Sequence, residues 1–293
     1  MKLRILNFFS ILVAFPAVSI GVIAMYFNEV PMFIWIQNVV FFTIAGSISC
    51  FLITYKRNIR LSKSTSFIVI ISILLLLLTF ISRDIGGVHR WVAIGGLQIN
   101  VSMVVLPALL LMIWKLSLKS LKLSVAVVLS VSIILFFQPD ASQLTSFGLP
   151  AIVLLINRGV RKFVSLLLIV ILFGLITTSW IFLDNLSSIA YVEEIVGLVA
   201  QMGIIWYISG ILALILLPIP FVLFPPKHFV LPSICIGMYF TLLLISTLFG
   251  SFPVPLMGYG ASPILGFLIA ITWYGRTKFS SLVKGESIDK EPL

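Results

Sequence analysis

Four groups of residues have the types and spacing to do chemistry. Residues 184–194 read D-N-L-S-S-I-A-Y-V-E-E and hold three carboxylates, Asp184, Glu193 and Glu194. A carboxylate beside apolar walls has its pKa raised toward the range useful for taking a proton from a hydroxyl. Glu193 and Glu194 are therefore candidate general bases. The plain alternative is that acids opening a helix are favoured by its dipole. Residues 82–100 carry Arg83 and Arg90 among four glycines. The planar fork of Arg suits a phosphate or pyrophosphate. Taken singly, Arg83 reads as a local partner of Asp84, and Arg90 with Trp91 as an interfacial anchor. Asp140 follows Pro139 in F-F-Q-P-D-A-S-Q, where it either caps a helix or meets a ligand. Finally, Gly250 to Pro263 reads G-S-F-P-V-P-L-M-G-Y-G-A-S-P, with three glycines and three prolines. Pro253, Pro255, Gly258 and Gly260 forbid a regular helix. That leaves a shaped loop, from which Tyr259 and Ser262 offer hydroxyls.

The elements that position these groups are long apolar runs. The 293-residue chain is 61% hydrophobic and only 10% charged, where a soluble domain carries about 25% charged residues. A bilayer crossing needs about 20 apolar residues. On that scale ten spans are predicted, near 8–27, 32–54, 66–82, 100–115, 121–137, 141–157, 163–183, 195–217, 229–249 and 261–275. The expected architecture is a single all-α membrane domain over 1–275, with a short disordered cytoplasmic tail over 276–293. The apolar run near the N-terminus is too long for a cleaved signal and reads as a first span that stays.

Charge placement sets the topology. With both termini inside, every one of the 19 cations except Arg83 and Arg90 falls on the inner face, as the positive-inside rule asks. The outer face receives Glu29, Asp84, Asp140, Asp184, Glu193 and Glu194. The net charge of +10 is then a topology signal with some attraction to anionic inner-leaflet lipid. It does not point to nucleic acid. Cys50 and Cys235 sit in apolar runs and read as buried thiols. With His89 and His228 on opposite faces, no protein metal cage is legible.

Three motifs in order carry a resemblance. Gly87 to Gly95, G-V-H-R-W-V-A-I-G, is similar to a Gly-x-x-Arg-Trp motif. Phe137-Gln138-Pro139-Asp140 is similar to a Gln-Pro-Asp motif. Pro253 to Ser262 is similar to Pro-Leu-Pro-Phe-x-Ser-Tyr-Gly-Gly-Ser. Together, over about residues 80 to 275, they resemble the SEDS family of bacterial envelope proteins, the FtsW, RodA and SpoVE group. The resemblance implies a ten-helix protein of the bacterial cytoplasmic membrane that acts in cell division or cell-shape maintenance. Its implied activity is peptidoglycan glycosyl transfer on the outer face, polymerising undecaprenyl-linked lipid II. It also implies a single-pass transpeptidase-type partner. In it Glu193, or Glu194 one residue on, takes the place of the family's essential Asp. Arg90, with Arg83 or a divalent cation, steadies the leaving pyrophosphate, and Tyr259 and Ser262 supply hydrogen bonds. The chain departs from the family at Asn100-Val101-Ser102-Met103 and Leu106, where a Glu and a later Lys are missing, and in a short loop before span eight. Two further functions stay open on these departures. One is a non-catalytic scaffold for a division partner; the other is a flippase for lipid-linked sugars.

Overall fold

The computed structural model describes residues 11–55, 64–82, 84, 86–182 and 188–288. Two antiparallel helices open it, α1 (Phe15–Phe27) and α2 (Met32–Thr54). After α3 (Ser64–Leu78) comes a β-hairpin of β1 (Trp91–Ile94) and β2 (Leu97–Asn100), with Trp91 facing Asn100 and Ile94 facing Leu97. The remaining elements are α4 (Val101–Ser117), α5 (Leu121–Phe137), α6 (Ala141–Asn157), α7 (Lys162–Phe182), α8 (Ile195–Gln201), α9 (Ile204–Leu216), α10 (Ile219–Leu223), α11 (Val230–Ser246) and α12 (Ala261–Ile288).

The central element is α4. It packs against α3, α5, α6, α11 and α12, so it is buried along nearly its whole length despite an internal Pro107. Around it, α12 lies on α2, α11 on α6, and α1 on α2, α8 and α9. Side chains cap three of these helices: Asn100, Ser120 and Asp140 accept from the backbone N–H three residues on. Each cap satisfies a donor that the first helical turn leaves without a partner.

Large apolar side chains cover the outside, and several polar ones are buried within an otherwise apolar core. Phe163 is 77% exposed, Ile205 77% and Phe173 68%, while Asn38, Gln138 and Gln143 are fully buried. Water would penalise such a surface; hydrocarbon does not. Two helices, α2 and the Lys162–Ile181 part of α7, are long and apolar enough to cross a membrane by length and composition. Seven others, α1, α3, α4, α5, α6, α9 and α11, are apolar but shorter.

Several expected boundaries are corrected. The run expected as one span over 195–217 is broken at Gly203, which stands at φ 120° and ψ 164° between α8 and α9. That conformation is essentially reserved for glycine, because a Cβ collides with the backbone there. Gly203→Ala is therefore expected to cost about 1–3 kcal/mol, read as a lower thermal unfolding midpoint; an unchanged midpoint would mean the break is set elsewhere. The last helix does not stop near 275 but continues to Ile288, through most of the stretch expected as a tail. The loop expected between the third and fourth spans contains the β-hairpin, turned at Gly95 and Gly96.

Candidate functional site

The Gly250–Pro263 loop is held on three sides. From α2, Asn38 donates its side-chain N–H to the Gly258 carbonyl and accepts from the Gly260 N–H, both at 3.0 Å. Its neighbour Gln37 accepts from the Tyr259 hydroxyl at 2.8 Å. From the turn before α8, the Val192 carbonyl accepts from Val254 N at 3.1 Å, and the Tyr191 carbonyl accepts from Tyr259 N at 2.9 Å. The Tyr191 and Tyr259 rings meet edge to face with centroids 6.1 Å apart. From the hairpin, Asn100 N donates to the Ser262 hydroxyl at 2.8 Å. The loop can approach the 189–194 turn this closely only because residue 258 is glycine: a Cβ there would strike the Val192 carbonyl oxygen.

This pairing sets Glu193 next in sequence to the two residues, Tyr191 and Val192, whose carbonyls hold the loop. Glu193 is half-buried, and its carboxylate accepts from the Ile189 N–H at 2.8 Å. Burial pushes its carboxyl above the ordinary glutamate range; backbone N–H bonds and the positive charge of Arg90 pull the other way, and Glu194 adds to the rise. Desolvation disfavours the anion, which makes the group a better proton acceptor when it is ionised. Glu194 is exposed and takes the Ser188 hydroxyl. Burial, with Tyr191 close by, raises the Tyr259 phenol against the Gln37 hydrogen bond, so Tyr259 stays neutral and keeps its proton in the bond to Gln37.

Beneath lies a buried ion pair. Arg90 is 2% exposed, and its Nε stands 3.5 Å from an Asp140 oxygen. The guanidinium also donates twice to the Pro139 carbonyl, and it lies 5.6 Å from the Phe252 ring and 6.0 Å from that of Trp91. The other Asp140 oxygen caps α6 by accepting from Gln143 N at 3.2 Å. Gln138 closes the motif, donating to the Leu76 carbonyl and the Thr79 hydroxyl on the α3 side.

The expected site residues thus separate into two layers. Glu193 and Tyr259 are half-buried, in the turn and in the loop that pair with each other. Arg90, Asp140 and Ser262 are buried below, with polar atoms already engaged, and they hold the site's shape. Pro253, Pro255, Gly258 and Gly260 form the loop as expected. Arg83 and Asp184 lie outside the described residues. No group of three His, Cys, Asp or Glu gathers among the described residues, and no step is drawn through a divalent cation.

Gln37 and Asn38 are the polar residues that sequence reasoning missed. Two amides inside a 23-residue apolar run were the available signal, since polar groups at membrane depth seldom lack a task. Asn38→Ala strands the Gly258 carbonyl and the Gly260 N–H, each unmade bond costing about 1–3 kcal/mol. The expected results are a lower unfolding midpoint and faster protease cleavage within the loop. Wild-type cleavage would show that the loop holds its shape without this clamp.

No protein-family model and no curated protein sequence matches the chain. Solved structures do. The rod shape determining protein RodA of Thermus thermophilus superposes with a TM-score of 0.67 at 19% identity, covering 90% of this chain and 95% of its own. A single-substitution variant of it gives 0.68 at 18%, over 90% and 96%. A chain from a structure of a peptidoglycan synthase complex that coordinates polymerization and crosslinking gives 0.67 at 16%, over 93% and 97%. The chain has a SEDS-like fold.

Proposed function

We propose that this chain works in bacterial cell-wall synthesis as a peptidoglycan glycosyltransferase, polymerising lipid II at the outer face of the cytoplasmic membrane. The observation that carries the reading is the pairing of the 189–194 turn with the Gly250–Pro263 loop, which seats a half-buried Glu193 at that junction and in the field of Arg90, in a SEDS-like fold. The apolar exterior supports a multi-span membrane placement. Ten crossings with both termini inside remain the topology that best explains the charge distribution. The synthase complex among the similar structures supports a crosslinking partner of transpeptidase type.

In the proposed reaction Glu193 takes the proton of an acceptor sugar hydroxyl. The hydroxyl oxygen attacks the donor's anomeric carbon, and the bond to the pyrophosphate breaks. The electron pair leaves with the lipid pyrophosphate, and the proton rests on Glu193 until solvent removes it. The Tyr259 hydroxyl, whose proton goes to the Gln37 hydrogen bond, offers its oxygen as an acceptor to the incoming sugar. Arg90, one layer below, contributes its positive field to the developing charge while it stays paired with Asp140.

The test is polymerisation of labelled lipid II by the purified chain in lipid, alone and with candidate transpeptidase partners. Glycan product supports the enzyme. If every partner combination yields none, the engaged state of Arg90 favours a scaffold that keeps the fold without the chemistry.

A further inference from the structure

The end of the bundle opposite Glu193 carries two lysines, Lys115 and Lys227, that make no ion pair among the described residues. There α4 ends in Trp114 and Lys115, the turn before α11 presents Lys227, His228 and Phe229, and α12 contributes Trp273. The rings form one cluster. Trp114 and Phe229 have centroids 5.3 Å apart, Phe229 and Trp273 6.1 Å, both edge to face. Lys115 is half-buried and Lys227 exposed, and neither makes an ion pair among the described residues. Lys278 nearby differs: the Tyr274 hydroxyl takes its ammonium at 2.9 Å, and it lies over the Phe224 and Tyr274 rings. Glu29, Asp84, Asp140, Glu193 and Glu194 all lie toward the other end, near the Gly250–Pro263 loop, and the remaining acids are Asp184 and, late in the chain, Glu286, Asp289 and Glu291. A partly buried ammonium without a counter-charge is costly, so this end is built for an anion supplied from outside. The aromatic floor says which kind. A free anion gains nothing from three rings, whereas a phospholipid can lay its glycerol and upper acyl carbons on them while its phosphate meets the lysines.

We propose that Lys115 and Lys227, at the end of the bundle that carries the Trp114–Phe229–Trp273 cluster, bind the headgroup of an anionic phospholipid. The inference rests on the membrane placement above but not on the chemistry at Glu193, and lipid retention is measured without polymerisation. The experiment is a titration of the purified full chain in detergent, followed by native mass spectrometry. The probes are phosphatidylglycerol, phosphatidylcholine with the same acyl chains, and inorganic phosphate. Phosphatidylglycerol should be retained more tightly than phosphatidylcholine. A Lys115→Gln/Lys227→Gln protein should lose that preference by about thirtyfold, at about 1 kcal/mol per lysine. Lys115→Arg/Lys227→Arg should keep it, as should Lys119→Gln/Lys122→Gln, which alters lysines in the adjacent turn. If the double Gln protein aggregates, the wild-type preference should still weaken as salt rises. Equal retention of the two lipids would overturn the proposal. So would a monodisperse double Gln protein with wild-type preference, or displacement of phosphatidylglycerol by millimolar inorganic phosphate, which would make this a free-anion site.

Discussion

Replacing Glu193 with Gln is expected to lower lipid II polymerisation by about 10²- to 10⁴-fold, the usual contribution of a positioned general base. The fold should survive, because Gln keeps the side-chain oxygen that accepts from Ile189 N. Glu194→Gln should retain most activity, since Glu194 is exposed and engaged only with Ser188. The pH profile separates a base from a prop. Only ionised Glu193 accepts a proton, so activity falls as pH drops through its pKa. Burial holds that pKa above the ordinary glutamate range, so the acid limb should lie above about pH 4.3. Glu194 adds to the rise; removing its charge should move the limb to lower pH without removing activity. A Glu193→Gln protein that polymerises at the wild-type rate would remove Glu193 from the mechanism. An acid limb unmoved by Glu194→Gln would mean that another group titrates.

Much of this arrangement was legible in the sequence, and the reasons can be traced to residues. The apolar runs marked most helices because hydrocarbon length and composition suffice for that. The Gly250–Pro263 loop was visible because its prolines and glycines exclude helix. Asp140 was read with two roles open, and the cap to Gln143 N is one of them. The layer in which each residue sits was hidden. Arg90 reads as an exposed anion binder from its glycine-rich surroundings, yet its partner Asp140 stands fifty residues away, and nothing local announces their meeting. Asn38 and Gly258 are 220 positions apart, beyond any periodicity. The β-hairpin could have been found, since W-V-A-I-G-G-L-Q-I-N sets two short alternating runs around a two-glycine turn. The break at Gly203 could not, because one glycine inside an apolar run more often continues a helix than ends it.

Removing either member of the Arg90–Asp140 pair is expected to be the most destabilising single change in the chain. Both side chains are nearly inaccessible, and the Nε–Oδ2 separation is 3.5 Å. Breaking a buried pair from one side costs about 3–5 kcal/mol, mostly for the charge left behind. The two routes to that cost differ. Arg90→Met leaves the Asp140 carboxylate with Ser102 and the α6 cap, and leaves the Pro139 carbonyl without its donors. Asp140→Asn keeps an oxygen for the cap but takes away the carboxylate charge that stands 3.5 Å from the guanidinium. Asp140→Ala loses the cap as well, worth about a further 1 kcal/mol, so it should rank below Asp140→Asn in unfolding midpoint. The double variant Arg90→Met/Asp140→Asn should be more stable than the sum of the single losses, because neither charge is then stranded. Strict additivity would mean that the two groups do not depend on each other. The same series bears on activity. If the pair serves to fix α6 and the hairpin beneath Glu193, the double variant should regain activity along with stability. If Arg90's field also stabilises the departing pyrophosphate, the double variant should fold and yet remain slow, with the loss in kcat rather than in KM.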